Sequence, residues 1–291
     1  MYVVAGVGGN TGAVVADVLL AHGEKVRVLV RDAAKGAAWS KKGAEVAVVE
    51  LSDAAGLAHA FEGAQGAYLL VPPQYQTEDM FAAQGPIRDA LVHATVQSHI
   101  PHVVFLSSLG AQHASGTGPI RSLHVTEQAF RAAGRNVTFL RAAYFLENWA
   151  SVLDEAQANG ALMTFLTSGA RVHMVATRDI GRAAVDALLE PVKGVRVIEL
   201  LGPAAYAPED VAAQLGTVID REVKASVGPL EYVVPTLTAL GFTTGTAESF
   251  REMIGGINSG HVAPEGGSAI RRFGTLTPAD VFRGLLMPAK V

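Results

Sequence analysis

Hydrophobic residues along this chain of 291 residues fall into short, nearly continuous runs, which alternate with stretches where apolar residues recur at helical spacing. In the first half the runs predict six strands. The first begins at Tyr2, and the other five cover Lys25–Val30, Glu45–Val49, Gly66–Val71, His102–Leu106 and Val137–Leu140. Nearly continuous apolar runs are typical of parallel strands buried on both faces, and their alternation with helices favours a doubly wound sheet. The pattern therefore predicts an α/β fold.

The alternation loosens beyond about residue 141, which divides the predicted chain into two parts. Residues 1–141 are expected to form a nucleotide-binding domain, and residues 142–291 a smaller α/β lobe on the substrate side, whose strands can interleave with the first domain. Later helices are predicted over 178–189, 208–219, 231–240 and 247–255. The stretch 261–268, with its Gly, Pro and Glu residues, is expected to be a mobile loop.

Composition and charge remove several classes of function. The net charge of −4 gives no general attraction to nucleic acid or to an anionic membrane, and the absence of cysteine excludes disulfides and thiolate chemistry. No apolar run approaches the about 20 residues that a spanning helix needs. We therefore expect a cytoplasmic protein that acts on a small molecule, with no nucleic-acid or membrane partner. The sequence leaves open whether the chain forms a homodimer.

The first strand leads directly into a glycine-rich loop and then a helix, over the sequence MYVVAGVGGNTG. Glycine accepts positive φ in the turn, its missing side chain lets backbone N–H groups approach a pyrophosphate, and the helix N-terminus favours negative charge. The alternative is a strand–helix turn that binds nothing. We interpret the segment as a Rossmann dinucleotide-binding loop. Its binding residues are Gly6, Gly8, Gly9, Asn10, Thr11 and Gly12.

Arg31 follows the second strand, where an NAD-selective Rossmann protein usually carries an acidic residue for the ribose hydroxyls. An arginine there can receive a 2′-phosphate through its planar fork, which favours NADP (NADPH), while NAD stays open. The alternative is a solvated loop arginine before a helix-capping Asp32. Lys35, Lys41 and Lys42 are interpreted as solvated charges.

Ligands of such sheets collect at the carboxyl ends of the strands, which adds four positions to the predicted cofactor site. These are Val71, Pro72, Ser107 and Ser108. A short-chain dehydrogenase would have its catalytic serine at the end of the fifth strand, with a tyrosine and a lysine four residues apart. None of the six tyrosines is followed by lysine at that spacing. The two serines can equally be residues of a strand-end turn.

His124 and Glu127 lie one helical turn apart after that loop, so they share a face that could point to the cleft. The alternative is a pair that is satisfied on the helix surface or within the domain interface. His99 and His102 flank Pro101 rather than sharing a helix, and we expect no metal site.

Seven motifs together resemble the NmrA-like atypical short-chain dehydrogenase/reductase family over nearly the whole chain. They are the 6–12 loop, Val30-Arg31-Asp32, Ser107-Ser108-Leu109-Gly110-Ala111, His124 to Glu127, Thr138-Phe139-Leu140-Arg141, Tyr144-Phe145-Leu146-Glu147-Asn148 and Arg178-Asp179-Ile180. Within that family the chain is most similar to bacterial NAD(P)H-dependent quinone, azo-dye and triphenylmethane-dye reductases. The family often has lysine or histidine four residues before the matched Glu127, whereas this chain has Leu123 there.

The resemblance implies a cleft whose nicotinamide end is bordered by the loop after Ser107 and by Ala143, Tyr144 and Phe145. The implied activity is hydride transfer from NADPH to an electrophilic acceptor, with His124 and Tyr144 as the catalytic candidates. Delocalised acceptors need a strong general acid less, which agrees with the missing tyrosine–lysine pair. The alternative is a non-catalytic NAD(P)-binding redox sensor that acts through a protein partner.

Overall fold

A computed structural model describes residues 1–287 of the protein. Its strands are, in chain order, β1 (Tyr2–Val4), β2 (Val26–Val30), β3 (Glu45–Val48), β4 (Gly66–Leu69), β5 (Val103–Ser108), β6 (Val137–Ala142), β7 (Tyr144–Phe145), β8 (Ala161–Thr164), β9 (Val172–Val175), β10 (Val195–Leu201), β11 (Ala205–Tyr206), β12 (Lys224–Val227) and β13 (Ile270–Phe273). Its α-helices are α1 (Asn10–Ala21), α2 (Ala33–Lys41), α3 (Ala54–Phe61), α4 (Met80–Ala83), α5 (Gly85–Gln97), α6 (Ile120–Ala132), α7 (Leu153–Asn159), α8 (Thr177–Leu189), α9 (Pro208–Ile219), α10 (Val233–Ala239), α11 (Thr244–Asn258) and α12 (Pro278–Leu286). Two 3₁₀-helices cover Leu146–Val152 and Leu230–Tyr232.

Eight of these strands form one sheet in the order β13-β10-β6-β5-β4-β1-β2-β3. Every neighbouring pair in it is parallel. The strand order runs outward in opposite directions from β1 and β4, and the sheet is therefore doubly wound, as the sequence predicts. In such a sheet the crevice for ligands opens at the carboxyl ends of the strands beside this reversal.

Both faces of the inner strands of the large sheet are buried, which explains why these strands read as continuous apolar runs. In β1, Val4 enters the core beneath α1 and α8, whereas its neighbour Val3 enters the core beneath α3 and α5. On the second face, Phe130 of α6 packs with its ring centroid 5.6 Å from that of Phe105 in β5. Helices on both faces hold the strand ends, and thus the loops after them, in fixed positions.

The C-terminal half contributes to two parts of the structure. Strands β10 and β13 complete one edge of the large sheet, while β7, β9 and β11 form a second sheet and β8 pairs with β12 in a third. A separate core, which includes Leu146, Trp149 and Phe282, supports the smaller lobe. The division at residue 141 stays a prediction, with strands of the second half interleaved in the large sheet.

The chain between β4 and β5 forms two consecutive helices, α4 and α5. α4 ends where α5 begins, at Gln84, because Pro86 at the start of α5 has no N–H for a preceding turn and its ring crowds the carbonyl there. The helix that carries His124, α6, begins at Ile120. Within residues 1–287, no helix combines the length and the hydrophobicity that a membrane span requires.

Candidate functional site

A cleft of about 680 Å³ runs along the carboxyl ends of the strands on both sides of the β1–β4 reversal. Most of the predicted cofactor-binding residues line it, namely Gly6, Gly8, Gly9, Thr11, Arg31, Val71, Pro72, Ser107, Ser108 and Phe145. Asn10, Gly12 and Tyr144 are not among the lining residues. Residues that are far apart in the chain thus meet at one edge of the sheet.

The glycine loop leaves the centre of the cleft open and positively polarised. Gly6 has φ of +70°, and its carbonyl accepts a hydrogen bond from the Gly9 amide at 2.9 Å, which closes the turn. The first turn of α1 has no side-chain cap and no acidic residue, so its N–H groups and dipole are available to an anion. A Cβ on Gly8 would meet no atom within 4 Å, and one on Gly9 would only reach the Gly6 carbonyl at 3.4 Å.

Gly12 has a different role from the glycines before it. A Cβ there would lie 2.4 Å from the Gly6 carbonyl oxygen, so only glycine lets α1 approach the end of β1 this closely. Gly12 therefore positions the loop through packing rather than by bordering the cleft.

One end of the cleft, the cationic end, has two cations and one carboxylate, that of Glu50, among its lining residues. Arg31 and Lys35 both line it, and within residues 1–287 neither has a carboxylate oxygen within 4.0 Å. The Asp32 carboxylate accepts from the Ala34 amide at 2.9 Å and starts α2, as the sequence predicts, which places Lys35 in the first helical turn. Lys35 is exposed, in agreement with its interpretation as a solvated charge, and it also lines the cleft. Its spacing of four residues from Arg31, across a helix start, is the sequence signal that links the two.

The opposite end of the cleft is apolar. Its walls come from the end of β4 and from four helices, and they include Val71, Met80, Ile87, Leu123 and Phe250. Met80, Ile87 and Phe250 were not predicted, because tertiary contacts alone bring α4, α5 and α11 to this place.

The segment after β4 is fastened to the smaller lobe. The carbonyl of Thr77 accepts hydrogen bonds from the hydroxyls of Thr243 and Thr246 at 2.5 and 2.6 Å. The ring centroids of Tyr75 and Phe250 lie 6.0 Å apart. These contacts carry α11 to the cleft wall.

Behind the cleft lies a buried cluster of charges. Arg141 of β6 donates to both carboxylate oxygens of Glu127, at 2.9 Å from Nε and 2.7 Å from Nη2, and Ser107 donates to the same carboxylate at 2.6 Å. Arg141 also donates from Nη1 to Glu265 at 2.5 Å, and the Glu265 amide donates to Glu199 of β10. Burial lowers the pKa of Arg141, but the hydrogen bonds and charges of Glu127 and Glu265 outweigh burial and raise its pKa overall. The guanidinium therefore stays charged.

Neither Glu127 nor His124 lines the cleft. Glu127 is fully buried against Arg141, while His124 places its Nδ1 2.8 Å from the carbonyl oxygen of Ala111. Because a carbonyl only accepts, this nitrogen carries the proton and holds the loop after β5. Leu123 lines the cleft and His124 does not.

Tyr144 also lies outside the cleft lining, next to Phe145, which lines it. Burial raises the pKa of Tyr144 to about 12, against the opposing effect of a hydrogen bond with the Asn148 side chain. The phenol is therefore protonated at neutral pH and packs against the core of the smaller lobe. The catalytic assignments of His124 and Tyr144 stay predictions.

The loop over 261–268 has neither helix nor strand, and its first residues are fastened to the loop after β5. The His261 ring stacks on His113 with centroids 3.9 Å apart, and its Nε2 lies 3.0 Å from the Ser115 carbonyl oxygen. The Gln112 amide donates to the Ala263 carbonyl at 3.0 Å. The predicted mobility of this loop stays a prediction.

Comparisons with known proteins match this architecture. The model of the NmrA-like family matches residues 2–264. An NAD(P)H azoreductase from Xenophilus azovorans is 26% identical over 253 residues, which are 87% of this chain and 86% of the relative.

Two solved structures share the fold. One is an NADPH-dependent quinone oxidoreductase from Escherichia coli in complex with NADPH, with a TM-score of 0.83, 20% identity and coverage of 98% of this chain and 100% of that one. The other is the triphenylmethane reductase of a Citrobacter species, with a TM-score of 0.82, 21% identity and coverage of 98% and 99%.

The buried charge cluster yields a prediction about stability. Glu127→Gln keeps the shape of the side chain but leaves the Arg141 guanidinium with its main counter-charge removed, so the free energy of unfolding should fall by about 3–5 kcal/mol. Urea unfolding followed by circular dichroism measures this. The control is Glu222→Gln, which breaks an exposed pair with Lys224 and should cost less than about 1 kcal/mol. Equal losses in the two variants would contradict the role assigned to Glu127.

Proposed function

The chain belongs to the NmrA-like family, and from this premise we propose that it is an NADPH-dependent reductase of electrophilic acceptors, such as quinones, azo compounds or triphenylmethane dyes. The observation that carries the proposal is a single cleft with an uncapped, glycine-lined helix N-terminus at its centre, two cations at one end and apolar walls at the other. The names of the azoreductase relative and of the two reductases that share the fold support the same class of reaction.

The residues present fit a dinucleotide phosphate. The space in front of Gly8 and the free N–H groups of α1 suit a pyrophosphate, which would replace the missing cap. Arg31 and Lys35 lie where the ribose next to the adenine would follow, and their charges suit a 2′-phosphate. A helix terminus alone would not distinguish NADPH from NADH, so selectivity depends on the cationic end.

At the apolar end, the nicotinamide would supply the hydride. The chain's own contribution there is to exclude water and to orient a flat acceptor, through Val71, Leu123, Phe145 and Phe250. The residues beside this end are not arranged as a proton-transfer pair, because Ser107 donates to Glu127 and the Tyr144 phenol is held by Asn148. We infer that the reduced, delocalised product takes its proton from bulk water after it leaves the cleft.

Arg31→Ala tests the choice of cofactor. Removing a charge-assisted contact of roughly 1.5–3 kcal/mol should reduce the preference for NADPH over NADH by about tenfold or more. Calorimetric dissociation constants for both cofactors measure this, with Arg283→Ala on the distant helix α12 as the control that leaves the preference unchanged. Equal affinities for NADPH and NADH in the unmutated protein would refute NADP selection.

Gly9→Val tests the position of the phosphates. The backbone at Gly9 is extended, so valine fits the local conformation, but its branched side chain would occupy the approach to the first turn of α1. NADPH binding should fall by more than about tenfold while the circular dichroism spectrum is preserved. Gly284→Val, at a site in α12 where a Cβ meets nothing within 4 Å, is the matched control. Undiminished binding by Gly9→Val would place the phosphates elsewhere.

The reaction itself is tested by NADPH oxidation against a panel of quinones, azo compounds and triphenylmethane dyes. With NADPH deuterated at C4 on the transferred face, deuterium should enter the product or a primary isotope effect should appear. Phe145→Ala, which removes an aromatic wall, should reduce kcat/KM by about tenfold or more. If the protein binds NADPH tightly but no acceptor oxidises it, the reductase proposal is wrong and the redox-sensor alternative takes its place. That alternative is tested by a search for a protein that binds only the NADPH-bound or only the NADP⁺-bound form of this chain.

A further inference from the structure

Gln84 occupies an unusual position at the apolar end of the cleft. It ends α4, begins α5 and lines the cleft, yet only 5% of its surface is exposed. Met80, Ile87 and Phe250, which line the same cleft, carry no hydrogen-bond donor in their side chains. A primary amide is therefore held among apolar walls, where its polar atoms need partners.

The orientation of this amide follows from its contact with Pro72. The Nε2 atom of Gln84 donates to the Pro72 carbonyl oxygen at 3.0 Å. A carbonyl can only accept, so the NH₂ group must point to Pro72 and the oxygen must point away from it. The contact also ties Gln84 to the segment that continues β4 into the cleft wall.

The other atom of the amide has no partner. Within residues 1–287 Gln84 Oε1 has no hydrogen-bond partner, although this atom is buried. Leaving a buried carbonyl oxygen unpaired costs free energy that an apolar side chain of the same size would avoid. A donor that arrives with a ligand would remove that cost.

We propose that Gln84 Oε1 accepts a hydrogen bond from an N–H or O–H group of a ligand at the apolar end of the cleft. This inference rests on the proposed function and adds to it a specificity-determining residue. Two ligand groups could supply this donor. One is the carboxamide N–H of the nicotinamide, and the other is a hydroxyl or amine on the acceptor. Gln84 would favour ligands with a donor and orient them, while the apolar walls bind them without regard to hydrogen-bonding groups.

The first arm of the test concerns the cofactor. The unmutated protein should bind NADPH about fivefold more tightly than its 3-acetylpyridine analogue, in which a methyl group replaces the amide nitrogen. Gln84→Met keeps the length of the side chain and removes both polar atoms, so the ratio should fall to about one. Gln97→Met, at an exposed site near the end of the same helix, is the matched control and should keep the ratio. Calorimetry gives each dissociation constant without any need for turnover.

The second arm concerns the acceptor. With NADP⁺ bound, the unmutated protein should bind 2-naphthol about fivefold more tightly than 2-methoxynaphthalene, which has the same aromatic rings but no donor. Gln84→Met should abolish this difference and Gln97→Met should keep it. Loss of discrimination in one arm identifies the source of the donor.

Several results would overturn the inference. If the unmutated protein shows no discrimination in either arm, or if Gln84→Met leaves both ratios unchanged, Gln84 Oε1 has no ligand partner. The first of these needs no variant, so the inference stays testable even if Gln84→Met fails to fold. Failure of the unmutated protein to bind NADPH would overturn the proposed function as well, whereas intact binding with unchanged ratios overturns this inference alone.

Discussion

The buried guanidinium of Arg141 sets a constraint on much of the structure around the cleft. A cation that is 3% exposed must be surrounded by carboxylates and hydrogen-bond acceptors, since its desolvation is otherwise very unfavourable. Glu127 reaches it from α6 and Glu265 from the loop before β13, and Glu265 is in turn held by Glu199 in β10. One charge therefore joins a helix, three strands and a loop, and it sits directly behind Ser107 at the cleft floor.

The direction of the strands determines where the cleft lies. Because the strands of the large sheet are parallel, all of their carboxyl ends lie along one edge, and the loops after β1, β2, β4 and β5 share that edge. The close contact between Gly12 and Gly6 places α1 directly over the end of β1. The large sheet thus forms most of the cleft, while α11 of the smaller lobe contributes Phe250.

The parts of this arrangement that depend on local sequence were predictable. The first strand, the glycine loop and α1 are contiguous, the apolar runs correspond to strands buried on both faces, and the motif resemblance to the NmrA-like family is confirmed. Helical periodicity correctly put His124 and Glu127 one turn apart, but it does not say which neighbour covers a face, and Arg141 draws Glu127 into the interior. Gln84 and Phe250 could not be assigned to the cleft from sequence, because contacts across long stretches of chain bring them there.

Short strands were missed for a different reason. β7 and β11 have two residues each, which is too few for a periodic pattern, and β13 has the sequence IRRF on an exposed edge, so it lacks the apolar run of its inner neighbours. The pairing of β13 with β10 is fixed by tertiary structure rather than by its own composition.

The late position of β13 in the chain has a consequence for biosynthesis. A ribosome delivers the first seven strands of the large sheet before it delivers Glu265 and residues 270–273, so the nascent protein exposes β10 as an open edge and leaves Arg141 without one of its two carboxylates. Unpaired strand edges favour association with other chains, and contacts between distant residues form slowly. Until residues 265–273 follow, the emerging chain therefore has an unpaired sheet edge and an incompletely paired cation, although most of the cleft already exists.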